Sequence, residues 1–300
     1  MSYNNSSLGI FYRSLVEVIS FYFFYICKNI NTYFFKMKKF SNFLLALILV
    51  LISSCSSDDS SSDSNTNMVL PKTVSMTYPN PEFSSHNRRT VMTYDGNKIL
   101  TSVDEYSKTV FTYDGNFIVK QVKFDIDYKG NEVKDSEISY TYENGKLKTR
   151  VLKEGFSTEY LNGQFIYKTV YTYVSDNEVT YDFYSLDAKT NIEVNEHQGV
   201  LYYKDGNLVK EEEFILYNDH SDAIVYEYDD KNAPFKNILG YNLLLNEVSN
   251  GNNNITSVSS LLKPFVYIRN YIYGDNGYPT KVINYASDRK TIEYITEYTF

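Results

Sequence analysis

The residues that most often perform catalysis are scarce in this sequence, and none falls into a familiar catalytic or metal-binding spacing. The three histidines, His86, His197 and His220, are far apart and form neither an H-x-x-H nor an H-E-x-x-H pattern. The two cysteines, Cys27 and Cys55, precede the region where the strand pattern begins, which excludes a cysteine nucleophile there. We therefore predict a protein that is not an enzyme, with no metal site and no cofactor.

Paired carboxylates are the one feature that fits a known reaction. Glycoside hydrolysis needs two carboxyl groups at a set separation, and the runs Glu211–Glu213 and Asp229–Asp230 supply neighbouring acids. Such runs also occur on solvated faces, which is the interpretation favoured here because spacing along the chain does not give separation in space. A carboxylate-based hydrolase is accordingly the third of three functional hypotheses.

Aromatic side chains are the other potential source of function. The chain contains 31 Tyr and 19 Phe but no Trp, and these residues are dense between Phe165 and Asp187. We expect them to form a core and cross-strand pairs, because large apolar surfaces are usually buried. The alternative is an exposed platform for a ligand, formed by Tyr171, Tyr173, Tyr181 and Tyr184.

A recurring unit must position these side chains. It consists of an apolar or aromatic residue, any residue, a tyrosine and then a turn, as in Val91–Leu100 (VMTYDGNKIL). Residues two apart on a strand point to the same face, so each unit places two large side chains on one side of a sheet. The units are Met76/Tyr78, Met92/Tyr94, Phe111/Tyr113, Tyr140/Tyr142, Tyr171/Tyr173, Leu201/Tyr203, Tyr226/Tyr228 and Tyr271/Tyr273.

The turns between units favour β-hairpins. Pairs such as Asp95-Gly96, Asn144-Gly145 and Asp205-Gly206 tolerate the positive φ that two-residue hairpin loops require. Seven or eight consecutive hairpins without crossover helices predict an all-β fold, an antiparallel meander that forms a curved sheet or a partly closed barrel. A short helical or loop insertion near residues 229–265, with a helix expected at Phe235–Leu239 after Pro234, interrupts the meander.

The tandem Y-D-G-N-x-[IL] hairpins over residues 69–300 resemble YD (RHS-type) repeats. They also resemble small repeat-bearing lipoproteins of Bacteroidota whose domains have no assigned function. RHS proteins are much longer and enclose a toxin in a shell. Several copies here lose the aspartate, at Glu143, Val174, Lys204 and Gly274. The resemblance therefore implies the hairpin array and not the shell function.

The N-terminal part predicts export and lipidation. Residues 1–36 are interpreted as a wrongly assigned extension, and residues 37–54 combine a basic start, an apolar run and small residues, as secretory signals do. The segment resembles a bacterial lipoprotein signal, which implies that Cys55 is the lipid-attachment residue. The Ser- and Asp-rich residues 55–68 predict a disordered tether. Its pair Asp58-Asp59 resembles the acidic tag of surface-exported lipoproteins of Bacteroidota.

Charge and composition then narrow the function. Residues 1–54 carry five basic residues and one acid, which leaves 24 basic and 36 acidic residues, a net charge of −12, for Cys55–Phe300. Such a surface repels phosphates, so nucleic acid is excluded as a partner.

We expect a lipid-anchored outer-membrane protein at the cell surface. It would contact the membrane through its anchor and bind a glycan or protein ligand, although without Trp only Tyr offers large polar rings for stacking. The alternative is a periplasm-facing carrier of an apolar molecule.

Overall fold

A computed structural model describes residues 68–216, 220–245, 251–262 and 265–300. The predicted signal peptide, Cys55 and all but the last residue of the predicted tether lie outside these ranges. Among the described residues, no helix has the length and apolar character needed to cross a bilayer.

Sixteen antiparallel strands form one closed barrel in the described part of the chain. Each strand pairs with its neighbours in sequence, and β1 pairs with β16 to close the ring. The predicted all-β meander is confirmed, and its closure is complete. The strands are β1 Thr73–Thr77, β2 Arg88–Asp95, β3 Lys98–Val103, β4 Ser107–Asp114, β5 Phe117–Ile126, β6 Glu132–Glu143, β7 Lys146–Glu154, β8 Phe165–Tyr173, β9 Glu178–Asp187, β10 Glu193–Lys204, β11 Asn207–Ile215, β12 His220–Tyr228, β13 Ile255–Ser260, β14 Val266–Tyr273, β15 Pro279–Tyr285 and β16 Ile292–Thr299.

The hairpin turns fulfil the conformations that their residues predicted. Asn144 (φ 52°) and Gly145 (φ 77°) join β6 to β7, and Asp205 (φ 53°) and Gly206 (φ 78°) join β10 to β11. The two-residue hairpin turns all lie at one end of the barrel, which we call the turn end. The connections at the other end, which we call the loop end, join β1 to β2, β3 to β4 and so on to β15 and β16.

A β-bulge lies just inside most hairpins at the turn end. Between β4 and β5 the register changes from Thr112↔Lys120 to Tyr113↔Ile118, and the same shift recurs between β6 and β7. A bulge disrupts the local ladder of backbone hydrogen bonds. The repeat tyrosine of the following hairpin lies beside it: the hydroxyl of Tyr142 donates to the Ile118 carbonyl oxygen at 2.7 Å.

This tyrosine contact recurs around the barrel. Each time, a tyrosine hydroxyl near the end of one strand donates to the carbonyl of the apolar residue that begins the preceding strand. These hydroxyls are removed from solvent, and their burial raises the pKa of Tyr228 and of Tyr271 to about 12. The further pairs are Tyr228 with Leu208 (2.6 Å) and Tyr271 with Ile255 (2.7 Å).

The long connection between β12 and β13 fills the turn end of the barrel, and we call its described residues, 229–245 and 251–254, the plug. Ile238 and Leu244 of the plug are buried in one cluster with Phe111, Leu147 and other inward side chains of the strands. Fully burying such a side chain contributes about 1.5–3 kcal/mol. The plug is therefore part of the hydrophobic core.

Polar contacts fix the plug against the strands. Tyr113 accepts a hydrogen bond from the Ile99 N–H (3.2 Å) and donates one to the plug carbonyl of Leu239 (3.0 Å). Gly240 has φ 79°, and a Cβ there would lie 3.0 Å from the Asn116 carbonyl oxygen, so only glycine fits this approach.

Two expectations about the insertion need correction. The helix expected at Phe235–Leu239 is absent: the residues from 234 to 240 form successive turns, and a 3₁₀ helix follows at Tyr241–Leu243. Packing of the plug side chains into the barrel favours this irregular path over a helical one. The insertion ends at residue 254, because Ile255 begins β13.

The tyrosine contact predicts the effect of a one-atom change. Tyr142→Phe removes the hydroxyl that donates to Ile118, a residue with 0% exposure, and leaves its carbonyl without that partner. We expect a loss of about 1–3 kcal/mol in the free energy of unfolding, measured by urea denaturation. Tyr128→Phe is the matched control, since Tyr128 is 91% exposed. Equal effects of the two changes would contradict this role.

Candidate functional site

The interior at the loop end is polar. We call it the lumen, and its lining is the set of inward-facing residues that lie between the core cluster and the loop end. Residues that pair directly across neighbouring strands face the same side of the sheet. Thr109 pairs with Lys123, and Lys123 pairs with Ser136, so all three face the interior. The side chains of Lys123 and Glu213 are 43% and 41% exposed, so solvent reaches this wall. Barrels of 16 strands are wide enough to leave an aqueous channel. The polar inward residues include Thr109, Gln121, Lys123, Ser136, Ser185, His197, Glu211, Glu213 and Asp222.

Three rings lie side by side on this wall, one each from β8, β9 and β10. Tyr167 and Phe183 are stacked, with centroids 5.6 Å apart and an interplanar angle of 18°. Phe183 and His197 are stacked more closely, at 4.3 Å and 14°. We call Tyr167, Phe183 and His197 the aromatic ladder. Parallel stacking of aromatic rings stabilises their orientation, so the lumen presents a rigid aromatic surface among polar groups.

Glu211 is held by two tyrosine hydroxyls. Tyr181 donates to Oε1 at 3.3 Å and Tyr226 donates to Oε2 at 3.4 Å. Burial and the nearby carboxylates of Glu211 and Glu213 raise the pKa of Tyr181 above its usual value. Tyr181 reaches Glu211 by lying across Gly199, where a Cβ would come within 2.3 Å of the ring. The strand between them must therefore carry glycine.

Alternation separates the acids that are adjacent in the sequence. Glu213 faces the lumen, 3.3 Å from Nε2 of His197, whereas Glu212 faces outward and pairs with Lys210 at 2.5 Å. Two residues along one strand span roughly 7 Å, so Glu211 and Glu213 are close enough to act on one ligand. Glu212 belongs to a solvated face, as the sequence suggested for the whole run.

The second predicted acid pair is also divided. Asp229 accepts hydrogen bonds from Asn254 Nδ2 and from the Tyr273 hydroxyl at the base of the plug. Asp230 is largely exposed and lies 3.3 Å from Lys231. Asp229 is thus part of the polar network that ties the plug to β14, and the pair does not form a catalytic couple.

The four tyrosines of the predicted platform do not share one surface. Tyr171 and Tyr181 are buried in the core, with 2% and 7% exposure, and Tyr173 packs against the same cluster. Tyr184 pairs with Lys168 on the opposite, outer face. Core packing therefore accounts for three of the four. The aromatic groups that line the lumen, Phe183 and His197, were not singled out as ligand-binding residues from the sequence, because only the register of β8 to β10 places them together.

The other predicted residues are distributed as follows. His86 ends the 3₁₀ helix Pro81–His86 at the loop end, with its ring centroid 5.8 Å from that of Tyr78. His220 begins β12. The histidines thus lie on separate elements. In the described ranges, no group of three or more His, Cys, Asp or Glu side chains is arranged to hold a metal ion.

The outer wall carries opposite charges in pairs. Lys281 and Glu297 meet across β15 and β16 at 3.0 Å, and Lys168 of β8 meets Glu193 at 2.8 Å. Between them lie threonines and β-branched apolar residues such as Thr141, Thr149 and Val151. The wall is therefore mixed in polarity and differs from a continuous apolar band.

Comparison with known proteins gives a likeness of fold only. No protein-family model matches the sequence, and no curated protein matches it significantly. Solved structures do match, among them a porin-like protein from Bacteroides vulgatus at 12% identity and a TM-score of 0.51, over 77% of this chain and 98% of that one. A porin-like protein from Bacteroides uniformis matches at 13% identity and a TM-score of 0.31, over 71% and 77% of the two chains.

His197 gives a testable pH dependence. Burial lowers the pKa of His197 from 6.5 to about 4. The unfolded chain therefore binds a proton at higher pH than the folded chain does. The stability that neutral His197 contributes is complete above pH 6.5 and is lost as the pH falls towards 4, by about 1 kcal/mol per pH unit.

The measurement is the free energy of unfolding between pH 7 and pH 4 for the natural chain and for His197→Phe. Phenylalanine retains a ring against Phe183 but cannot titrate. We expect the natural chain to lose stability relative to the variant over this range. Parallel curves, or a His197 pKa above 6.5 by NMR, would contradict the assignment.

Proposed function

We propose that this protein is a lipid-anchored binding module of the cell envelope that receives its ligand in the lumen through the loop end. One observation carries the proposal: the barrel is filled by the plug at one end, while its other half is a solvent-accessible polar lumen. A plugged barrel of this kind acts as a cup and not as a through channel. Rigid sheets that enclose a concave site are common places for ligand binding.

The position of the anchor is compatible with this cup. The chain enters β1 at the turn end, where Pro71 is fully buried and Lys72 N–H bonds to the Thr299 carbonyl. A lipid on Cys55 would therefore be joined to the plugged end, which is the end opposite the mouth of the lumen. The Asp58-Asp59 pair supports export to the outer face of the outer membrane, as the sequence predicted.

The outer wall supports a barrel that stands in water. A lipid-facing barrel needs an apolar band about 25 Å tall, and a lysine at its midplane costs roughly 2–4 kcal/mol. Lys281, the third of seven residues of β15, and Lys168, the fourth of nine residues of β8, lie near the middle of their strands on the outer face. We infer that the barrel wall stands in water and does not face the lipid of a membrane.

The chemistry of the lumen favours a hydrophilic ligand. Hydroxyl, amide and carboxylate groups surround the aromatic ladder, a combination that suits a glycan or a polar peptide segment. The hypothesis of a carrier for an apolar molecule requires an empty apolar interior. Here the apolar half of the barrel is occupied by plug side chains such as Ile238 and Leu244.

A second candidate function rests on one observation. Glu211 and Glu213 lie two residues apart on β11, roughly 7 Å along the strand, and they face the same lumen as the ladder. Glu211 accepts hydrogen bonds from two hydroxyls, which hold its carboxylate in place for the role of base or nucleophile. Glu213 would then be the acid of a carboxylate-based hydrolase.

An immobilised glycan array tests the binding module and the hydrolase together. Each substitution of an inward-facing residue is paired with one of the outward-facing residue next to it. Glu213→Gln and Phe183→Ala alter the lumen, and their neighbours Glu212→Gln and Tyr184→Ala alter the outer face. We expect binding of an array glycan to fall about tenfold or more for the lumen variants and to be unchanged for the outer pair. Equal loss in all four would refute a lumen site, and release of shortened glycan would favour the hydrolase.

Anchoring is tested in cells with a C-terminally tagged chain. Cys55→Ser should shift the protein from the membrane fraction to the soluble fraction. Protease added to intact cells should remove the natural chain if it faces outward. A Cys55→Ser protein that stays in the membrane would exclude the lipid anchor, whatever the glycan array shows.

A further inference from the structure

The loop end carries a ring of exposed apolar side chains. Six of its eight connections each present at least one large apolar residue to solvent, and we call six of these residues the crown. Tyr128 is 91% exposed and Leu161 is 78% exposed. The crown consists of Tyr106, Tyr128, Leu161, Ile192, Leu216 and Leu262.

The opposite end has no comparable ring among its described residues. The hairpin turns there consist mainly of Asp, Asn and Gly, and Val174 is the exposed large apolar residue within them; Met68, Leu100 and Ile272, which are also exposed, lie beside that end without forming a ring. Single exposed apolar residues are normal on a protein surface, but a set confined to one rim marks an interaction site. The contrast between the ends therefore identifies the loop end as the surface that meets a partner.

The arrangement of the crown points to the kind of partner. Protein interfaces have an apolar centre and a polar rim. The loop end has the opposite arrangement: its apolar tips form the rim, and the charged residues Lys123, Glu213 and Asp222 lie in the lumen at its centre. A protein partner or a second copy of this chain would have to bury those charges at its centre. A lipid surface has no such requirement, because each tip inserts separately and the lumen remains above hydrated headgroups.

Two further features fit a lipid surface. Basic groups accompany the aromatic tips: Arg88 lies 4.1 Å from the ring centroid of Tyr106, and Lys129 lies 5.3 Å from that of Tyr128. Aromatic rings with basic neighbours are favoured at the membrane interface. The thirteen peptide units between Cys55 and Met68 can also span up to roughly 45 Å, which exceeds the roughly 30 Å height of a barrel with strands of this length.

We propose that the crown docks on the surface of a lipid bilayer, with its apolar tips inserted at the level of the headgroups. The contact is made by the loop end and is separate from the lipid on Cys55. It places the mouth of the lumen over the headgroups. Docking uses the crown alone and is independent of which ligand the lumen binds.

Tryptophan fluorescence tests this contact, because the natural chain has no Trp. Leu161→Trp and Tyr128→Trp each place one reporter on the crown, and Val174→Trp places one at the turn end. All three are made in a full-length Cys55→Ser chain. The probes are phosphatidylcholine vesicles, with and without bromine on the acyl chains. We expect a blue shift and bromine quenching for both crown reporters, and neither change for Val174→Trp.

The other outcomes overturn the proposal. Crown reporters that stay water-exposed in the presence of vesicles would exclude insertion. Equal quenching at Val174→Trp would show contact without preference for the loop end. A blue shift that rises with protein concentration in the absence of vesicles would assign the crown to a second copy of the chain. Glycan binding is measured separately on the natural chain, so failure here leaves the lumen proposal untouched.

Discussion

The barrel depends on a hydrogen bond between a buried tyrosine hydroxyl and the backbone beside a β-bulge. Bulges increase local twist and bend a sheet, which is what a meander needs to curve into a closed ring. They also disrupt the ladder, and a buried carbonyl left without a partner costs about 1–3 kcal/mol. Tyrosine meets both needs, because its ring fills the interior while its hydroxyl reaches the carbonyl one strand away, as Tyr142 does at Ile118. The tyrosine of the repeat unit thus offsets the cost of the bulge, because its hydroxyl bonds to the backbone carbonyl beside it.

Closure of the ring leaves space inside the barrel, and the plug fills part of that space. A ring of sixteen strands encloses more space than the inward side chains of the strands fill. The connection between β12 and β13 occupies the turn end, where the repeat tyrosines and the apolar residues after each turn converge. The loop end has neither, so its interior stays polar and hydrated. The division into a filled half and an open half follows from where the repeats place their aromatic residues along each strand.

Local pattern predicted much of this fold. The hairpins, the turn residues with positive φ and the inward direction of the repeat tyrosines follow from period-2 alternation and turn chemistry. The lumen could not be predicted in the same way. Glu211, Glu212 and Glu213 are chemically identical, and only the register with Gly199 and Val200 shows which of them face inward.

The predicted platform shows how alternation limits such inference. Tyr181 and Tyr184 differ by an odd number of residues on one strand, so they lie on opposite faces. The stacking of Phe183 on His197 depends on the register between β9 and β10, which pairs these two residues directly and which neither residue type predicts. The plug and the crown depend on closure of the ring, and closure is a property of all sixteen strands together.

Access to the interior is the most direct test of the plugged cup. In a chain without Cys27 and Cys55, a single cysteine replaces either Thr109 in the lumen or Leu147 beside the plug. A water-soluble maleimide is then applied to the folded protein. We expect the cysteine at position 109 to react within minutes and the cysteine at position 147 to react only after denaturation. Equal reaction at both positions would show that the plug does not fill the turn end, and protection at both would show that the lumen is closed.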